Sequence, residues 1–188
     1  MNEANPFIET AEKIHVVRLL EPDDCASLIA RADEVPRWHD APSHQEDAEA
    51  VFDASLRRNR TLQERDASKL FTPYRKTFER RFAKFLDTAQ ENFVIVSLLA
   101  LHRYDRGDHF DQHVDALPTF HRERRYSVIC YLNDDFVDGG TAFPTLGRTY
   151  RPAAGQAVLF PSHYLHVAQP VTSGHKYVIV FFLCEPPN

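Results

Sequence analysis

The sequence predicts an α+β fold that is mainly β: a double-stranded β-helix, or jelly roll, with N-terminal helices packed on its major sheet. Three observations carry that expectation. Apolar residues recur at helical spacing twice in the first half, short β-rich runs take over from Phe93 onward, and turn residues separate those runs.

In chain order, residues 14–20 (Ile-His-Val-Val-Arg-Leu-Leu) read as a strand. A helix follows, because Pro22 suits a first helical turn, Asp23 and Asp24 complement the helix dipole, and Cys25, Leu28, Ile29 and Ala32 share one face. Val35-Pro36 ends it. Residues 37–68 turn polar and predict a long loop or short strands over one face. Thr72-Pro73 looks like a helix start, with Tyr74, Phe78, Phe82, Phe85 and Leu86 repeating on one face, and this helix should pack on a sheet. The β-rich runs then span 93–104, 126–132, 149–151, 157–160, 166–169 and 177–184, punctuated by Asn133-Asp134-Asp135, Asp138-Gly139-Gly140, Ala154-Gly155 and Ser173-Gly174.

A chain of 188 residues can bury one good core. One domain is expected over 1–188, with helical and strand support in 1–92 and the jelly-roll core in 93–188. The hydrophobic share of 43%, the charged share of 26% and a formal charge of −5 suit an ordinary globular domain and argue against a general nucleic-acid binder. Arg57-Arg58-Asn59-Arg60 and Arg122-Glu123-Arg124-Arg125 read first as solvated charged faces. Cys25, Cys130 and Cys184 are odd in number, and two of them lie in apolar runs, which fits a reducing compartment. The N-terminus has neither the basic region nor the apolar core of a signal peptide, and no apolar run reaches the roughly 20 residues of a membrane span. The expected location is cytoplasmic, with no membrane partner.

Chemistry concentrates in residues 108–115, Asp-His-Phe-Asp-Gln-His-Val-Asp, which offer two His-x-Asp pairs, His109/Asp111 and His113/Asp115. Strand alternation would put all four on one face, so spacing alone does not choose between them. A distant His would complete a facial site of two imidazoles and one carboxylate, the donor set of non-haem Fe(II) enzymes, which leaves half of an octahedron open. His163, His166 and His175 are the C-terminal candidates; His166 begins a strand-like run and Lys176 opens the next.

These residues resemble the 2-oxoglutarate- and Fe(II)-dependent oxygenases, in particular their prolyl 4-hydroxylase alpha-subunit-like branch, over residues 99–183. The first block reads Tyr104-x-x-Gly107-x-x-Phe110-x-x-His113-x-Asp115 and selects His113/Asp115. The second reads Tyr131-Leu132-Asn133-Asp134, then Gly139-Gly140-Thr141-Ala142-Phe143-Pro144; the third reads Pro152-x-x-Gly155, Phe160 and His166-x-x-x-Pro170-Val171-x-x-Gly174-x-Lys176. Phe110 departs from the family's usual Tyr, and the short spacing from Asp115 to His166 implies trimmed loops.

The resemblance implies that His113, Asp115 and His166 bind Fe(II) and carry catalysis. It implies that Lys176 pairs with the far carboxylate of 2-oxoglutarate, that Tyr131 donates its hydroxyl there, that Tyr104 meets the metal-side carboxylate, and that Thr141 lines the pocket. Dioxygen is then a co-substrate, ascorbate an accessory reductant, and the outcome is hydroxylation of an unactivated C–H. An intact Asp115 argues against the related halogenases. The expected substrate is a prolyl residue in a protein or peptide, with a free amino acid or small metabolite next, and residues 37–68 and 116–125 are expected to choose it. Arg122, Arg124 and Arg125 could attract an acidic group. Two other classes use the same donors: a non-catalytic cupin-like metal-binding module and a zinc hydrolase, both of which leave Lys176 idle.

Overall fold

The computed structural model describes residues 8–11, 13–46, 49–89, 94–95, 99–119 and 121–186, with side chains at 13–43, 50–83, 99–119 and 121–186. The chain enters as β1 (Ile8–Ala11) and β2 (Ile14–Arg18), followed by α1 (Pro22–Asp33) and five short strands: β3 (His39–Asp40), β4 (His44–Glu46), β5 (Glu49–Val51), β6 (Arg57–Arg58) and β7 (Arg60–Gln63). Next come α2 (Ser68–Ala89), β8 (Val94–Ile95), β9 (Ala100–Tyr104), β10 (His109–His113), β11 (Arg124–Tyr131) and β12 (Val137–Asp138). The last six strands are β13 (Thr141–Phe143), β14 (Arg148–Tyr150), β15 (Gln156–Pro161), β16 (His166–Ala168), β17 (Val171–Ser173) and β18 (Lys176–Cys184).

Among the described residues these strands form two principal antiparallel sheets, the two walls of a jelly roll. The larger runs β1-β2-β15-β11-β18-β9-β7-β3, with β8 also on β18; the smaller runs β14-β13-β16-β10-β6. The polar stretch 37–68 is therefore short strands rather than loop, and it serves both walls: β7 extends the larger sheet beside β9 and β6 extends the smaller beside β10.

Strict period-2 alternation gives the larger sheet two buried faces. On β18, Tyr177, Ile179, Phe181 and Leu183 face outward to the helices, as do Leu101 on β9, Val128 and Cys130 on β11, and Ala157 and Leu159 on β15. α2 packs there, with Phe78 stacked on Phe181 at 5.0 Å between ring centroids and Phe82 edge-on to it at 5.7 Å. α1 adds Cys25, Leu28 and Ala32 to the same core. The intervening residues, including Tyr104, Tyr131, Phe160 and Val178, point to the inside of the roll and form a second cluster. All three cysteines are buried, Cys130 and Cys25 with thiols pushed up by burial, Cys25 to about 12.

α1 begins with Pro22 at its first turn, as its sequence dictates. α2 starts at Ser68, four residues before the expected Thr72 cap, and carries Pro73 inside. Thr72 bonds backward instead, its hydroxyl donating to the Ser68 carbonyl at 2.8 Å. Proline cannot supply the N–H that the Lys69 carbonyl would receive, and Arg31 of α1 donates to that oxygen at 3.2 Å. A helix–helix contact thus removes the break that the local sequence suggested. The side chains of Phe85 and Leu86 and the whole of Phe93 lie outside the described residues. Neither described helix is long and apolar enough to cross a membrane.

Gly155 shows why the turn before β15 needs glycine. Its φ is +82°, and an added Cβ would collide with the Leu20 carbonyl oxygen. Its own carbonyl accepts from Leu19 at 2.8 Å, and its N–H donates to Tyr131 at 2.7 Å, fastening the N-terminal segment to the inner strands.

Candidate metal centre

His113 ends β10 and His166 begins β16, and the two are paired across the smaller sheet. Asp115 lies just beyond the strand, where its N–H donates to Ser162 at 2.9 Å. One ligand atom from each of His113, Asp115 and His166 falls within 4.8 Å of the others, a group that could hold a metal ion. Asp115 Oδ1 is 3.8 Å from His113 Nε2 and Oδ2 is 3.4 Å from His166 Nε2. Metal–ligand bonds of about 2.1 Å set neighbouring donors roughly 3 Å apart, so small adjustments would close the set on one ion.

The proton positions fit ligation as well. His113 Nδ1 lies 2.7 Å from the Asp111 carbonyl and His166 Nδ1 lies 2.9 Å from the Tyr164 carbonyl. A carbonyl only accepts, so each ring carries its proton on Nδ1 and turns the Nε2 lone pair to the centre. Burial, reinforced by His166, lowers the His113 pKa to about 3. Burial alone would raise the Asp115 carboxyl, but His166, His113 and the Ser127 hydroxyl outweigh it and keep it below its ordinary value. Ser127 donates to Oδ2 at 2.6 Å and is itself 3.0 Å from the Ser162 hydroxyl. Two imidazole nitrogens and one carboxylate converge, the donor set suited to Fe(II).

His109 and Asp111 do not join this group. The register between β10 and β16 shifts between Phe110 and His113, which breaks the alternation that would have put His109, Asp111, His113 and Asp115 on one face. The irregularity turns Phe110 and His113 inward together, their rings stacked at 3.5 Å, and leaves Asp111 exposed. His109 instead reaches the Ser55 and Gly107 carbonyls, and His175 pairs with Asp105. His163 is exposed beside Tyr164.

On the neighbouring strands the other expected residues are all inside the roll. Lys176, 2% exposed, stands opposite Tyr104 in the β18–β9 register, with Nζ 4.0 Å from the centre of the Tyr104 ring. It donates to the Gly139 carbonyl at 2.8 Å, made available by a turn in which Gly139 has φ +66°. No carboxylate among the described residues forms an ion pair with it, and burial alone lowers its pKa to about 7. Tyr131 and Thr141 are buried and share a hydrogen bond of 2.8 Å. Burial raises the Tyr131 and Tyr104 hydroxyls above their ordinary values. A buried ammonium without an anion is costly, and a carboxylate arriving beside it would relieve that cost.

A cavity of about 710 Å³ opens beside these groups; Tyr104, His113, Asp115, Thr141 and His166 line it. Residues from both of the segments expected to choose a substrate also line it, among them Pro42, Ser43, Arg57, His121, Glu123 and Arg124. Here the reading of the arginine runs as solvated faces fails. Arg57 points into the cavity with its guanidinium 4.2 Å over Phe110, Arg58 pairs with Asp108 at 2.8 Å, and Arg60 pairs with Asp105 at 2.7 Å. Arg124 lies 3.9 Å over Phe182 and donates to the Asp115 carbonyl at 3.3 Å. Only Arg125, paired with Glu185 at the surface, and Arg122 keep an outward role in the second run. Arg57, Ser127, Asn59 and His102 were not foreseen as site residues. Their one signal was a polar side chain in or beside a strand and turned inward, which cannot be recognised before the pairing is known.

Residues 99–184 match the model of the 2OG-Fe(II) oxygenase superfamily, almost the stretch over which the motifs carry the resemblance. A PKHD-type hydroxylase of Sphingopyxis alaskensis is 37% identical over 91 residues, covering 44% of this chain and 42% of that protein. A putative prolyl 4-hydroxylase of Acanthamoeba polyphaga mimivirus is 36% identical over 66 residues, covering 30% of this chain and 27% of that protein. The chain thus matches less than half the length of these curated relatives. The fold is shared with a prolyl-4-hydroxylase of Pseudomonas putida at a TM-score of 0.72 and 16% identity, over 94% of this chain and 95% of that one. It is shared also with a viral collagen prolyl hydroxylase of Paramecium Bursaria Chlorella virus-1 at 0.70 and 16%, over 94% and 98%.

Proposed function

We propose that this chain, a member of the 2OG-Fe(II) oxygenase superfamily through its core at residues 99–184, is a 2-oxoglutarate- and Fe(II)-dependent dioxygenase that hydroxylates a prolyl residue in a peptide or protein. The observation that carries the reading is the pairing of two incomplete sites inside one roll: a His113/Asp115/His166 group at the cavity, shaped for a metal, and a buried Lys176 with no anionic partner among the described residues, set against the Tyr104 that lines the same cavity. A metal-binding module or a zinc hydrolase has no use for the second. The prolyl substrate follows from the hydroxylases and prolyl hydroxylases that the chain resembles.

When bound, Fe(II) supplies the activation of dioxygen, coupled to oxidative decarboxylation of 2-oxoglutarate to succinate. The residues supply placement. His113 and His166 offer Nε2 lone pairs because their Nδ1 protons are held by backbone carbonyls. Ser127 occupies one lone pair of Asp115 Oδ2 and fixes the carboxylate plane. Lys176 and the Tyr131–Thr141 hydroxyl pair receive the far carboxylate of the co-substrate, and Tyr104 marks the wall between Lys176 and the metal group. Phe110, stacked on His113, and buried Phe143, beside His166, hold the two imidazoles in place. Ascorbate is proposed as the reductant that returns the iron to its ferrous state.

The test is turnover. Purified protein with Fe(II), 2-oxoglutarate and ascorbate should form succinate in step with hydroxyproline from prolyl peptides, and Zn(II) should not replace Fe(II). Succinate formation that no prolyl compound stimulates would remove the prolyl assignment; hydrolysis under anaerobic Zn(II) would remove the dioxygenase.

A further inference from the structure

The charges lining the cavity do not balance. With the two histidines neutral, Asp115 and a 2-oxoglutarate dianion together offset a divalent ion and the Lys176 ammonium. Arg57 and Arg124 are left over, and among the described residues the one other acid at the cavity wall is Glu123, half-exposed at the rim and engaged by His121. No carboxylate among the described residues lies within ion-pair distance of either arginine, whereas Arg58, Arg60 and Arg125 of the same two runs, which line no part of the cavity, each have one, and Arg122 is exposed.

Arg57 is built into its place. Its Nε donates to Asn59 Oδ1 at 2.8 Å, one terminal nitrogen donates to the Pro42 carbonyl at 3.1 Å, the other lies 3.5 Å from His102 Nδ1, and Tyr104 bonds to the group as well. Asn59 also donates its amide N–H to His102 Nδ1, at 3.1 Å. His102 is kept neutral by burial and by Arg57 itself. Every partner of this partly buried cation is therefore uncharged, and the fork has five N–H groups, so a donor remains. Its flat face rests on Phe110, whose other face stacks on His113. A guanidinium, a phenyl ring and a metal-site imidazole are thus layered, and all three residues line the cavity. Packing does not require a charge there, and a neutral side chain would avoid the desolvation that lowers the Arg57 pKa.

We propose that Arg57, assisted by Arg124, binds a carboxylate of the substrate, so that the prolyl ring oxidised here stands beside an acidic side chain or a free carboxyl terminus. The proposal rests on the dioxygenase reading above and narrows its substrate class. A carboxylate matches the planar fork geometrically, and an ion pair shielded from water discriminates strongly against its amide isostere.

The experiment is calorimetric binding to protein loaded with Mn(II) and 2-oxoglutarate, which needs no turnover. The probes are matched pairs: acetyl-Pro-Asp-amide against acetyl-Pro-Asn-amide, acetyl-proline against its amide, and, with no prolyl ring, acetyl-aspartate against acetyl-asparagine. In the wild-type protein the acid of at least one pair should bind about tenfold tighter than its amide; which pair does so tells side chain from carboxyl terminus. Arg57→Gln should erase that preference and Arg57→Lys should keep part of it, with 2-oxoglutarate affinity changed by less than about twofold and circular dichroism unaltered. Equal binding of acids and amides, no binding of any acid, or a preference that survives Arg57→Gln would overturn the proposal. So would a large loss of 2-oxoglutarate affinity in Arg57→Gln, which would assign the arginine to the co-substrate. If acetyl-aspartate shows the Arg57-dependent preference while no prolyl compound is hydroxylated, the anion site stands and the prolyl assignment falls.

Discussion

Two groups of charge sit one residue apart on the same two strands, and they are built on opposite principles. At the rim, Asp105 follows β9 and His175 precedes β18, and the Asp105 carboxylate accepts from Arg60 at 2.7 Å, Arg103 at 2.8 Å and His175 at 2.7 Å. Partial burial would raise its pKa, but those three donors lower it to about 2. One step inward, Tyr104 and Lys176 face each other and the ammonium has a carbonyl for a partner and no acid. The rim group is complete and holds strands together. The inner group is incomplete, and incompleteness in a buried charge marks where a ligand belongs.

Completing or removing these groups should give effects that descend in size. His113→Ala or Asp115→Ala should abolish Fe(II) binding, a loss beyond the roughly 10–100-fold expected for a supporting residue such as Ser127 in Ser127→Ala; metal titration with circular dichroism separates both from unfolding. Lys176→Ala should weaken 2-oxoglutarate by about a hundredfold while retaining metal. Lys176→Met should raise the thermal midpoint of the ligand-free protein, because it replaces an unpaired buried charge by an apolar chain, on the order of 1–4 kcal/mol. Asp105→Asn should do the reverse and weakly, by less than about 1 kcal/mol, since Arg60 and His175 are half in solvent and screened. A lower midpoint for Lys176→Met would deny that Lys176 is strained without its ligand.

The same two groups make stability rise with pH in two separate windows, Asp105 by gaining a stabilising charge and Lys176 by losing a destabilising one. The Asp105 pKa is depressed in the folded state, so its contribution to stability is present above the unfolded value near 4 and is lost as pH falls toward about 2. The Lys176 pKa is also depressed, from 10.5 to about 7, but for a cation this means that the unfolded chain holds the extra proton. Its destabilising effect is full below pH 7 and fades as pH rises from about 7 to 10.5. Affinity for 2-oxoglutarate should be level below pH 7 and fall above it, because the dianion binds the protonated form. Lys176→Arg should flatten that profile, and a wild-type profile that is already flat would contradict the assignment.

Legibility differed between these regions for a physical reason. The strand runs of the core, the helix at Pro22 and the clustering of His113, Asp115 and His166 were readable, because alternation, caps and well-spaced motifs are local signals. The triad needed its motif as well: the register shift between Phe110 and His113 defeats the alternation argument that would have given His109 and Asp111 equal standing. The start of α2 lies four residues before Thr72, and the carbonyl that Pro73 leaves open accepts from Arg31, a partner distant in sequence. Arg57 was hidden most thoroughly. In sequence it is one of three arginines in a polar run, and only the pairing of β6 with β10 separates the arginine that faces the cavity from those that face acids.

Anaerobic titration of the metal-free protein with Fe(II), then with 2-oxoglutarate, tests the central claim most directly through the visible charge-transfer band of a chelated keto acid. The band should appear only after the second addition, require His113 and Asp115, and need far more 2-oxoglutarate in Lys176→Ala. Iron that binds without any band at saturating 2-oxoglutarate, or a band indifferent to Lys176, would contradict the claim that these two incomplete sites form one.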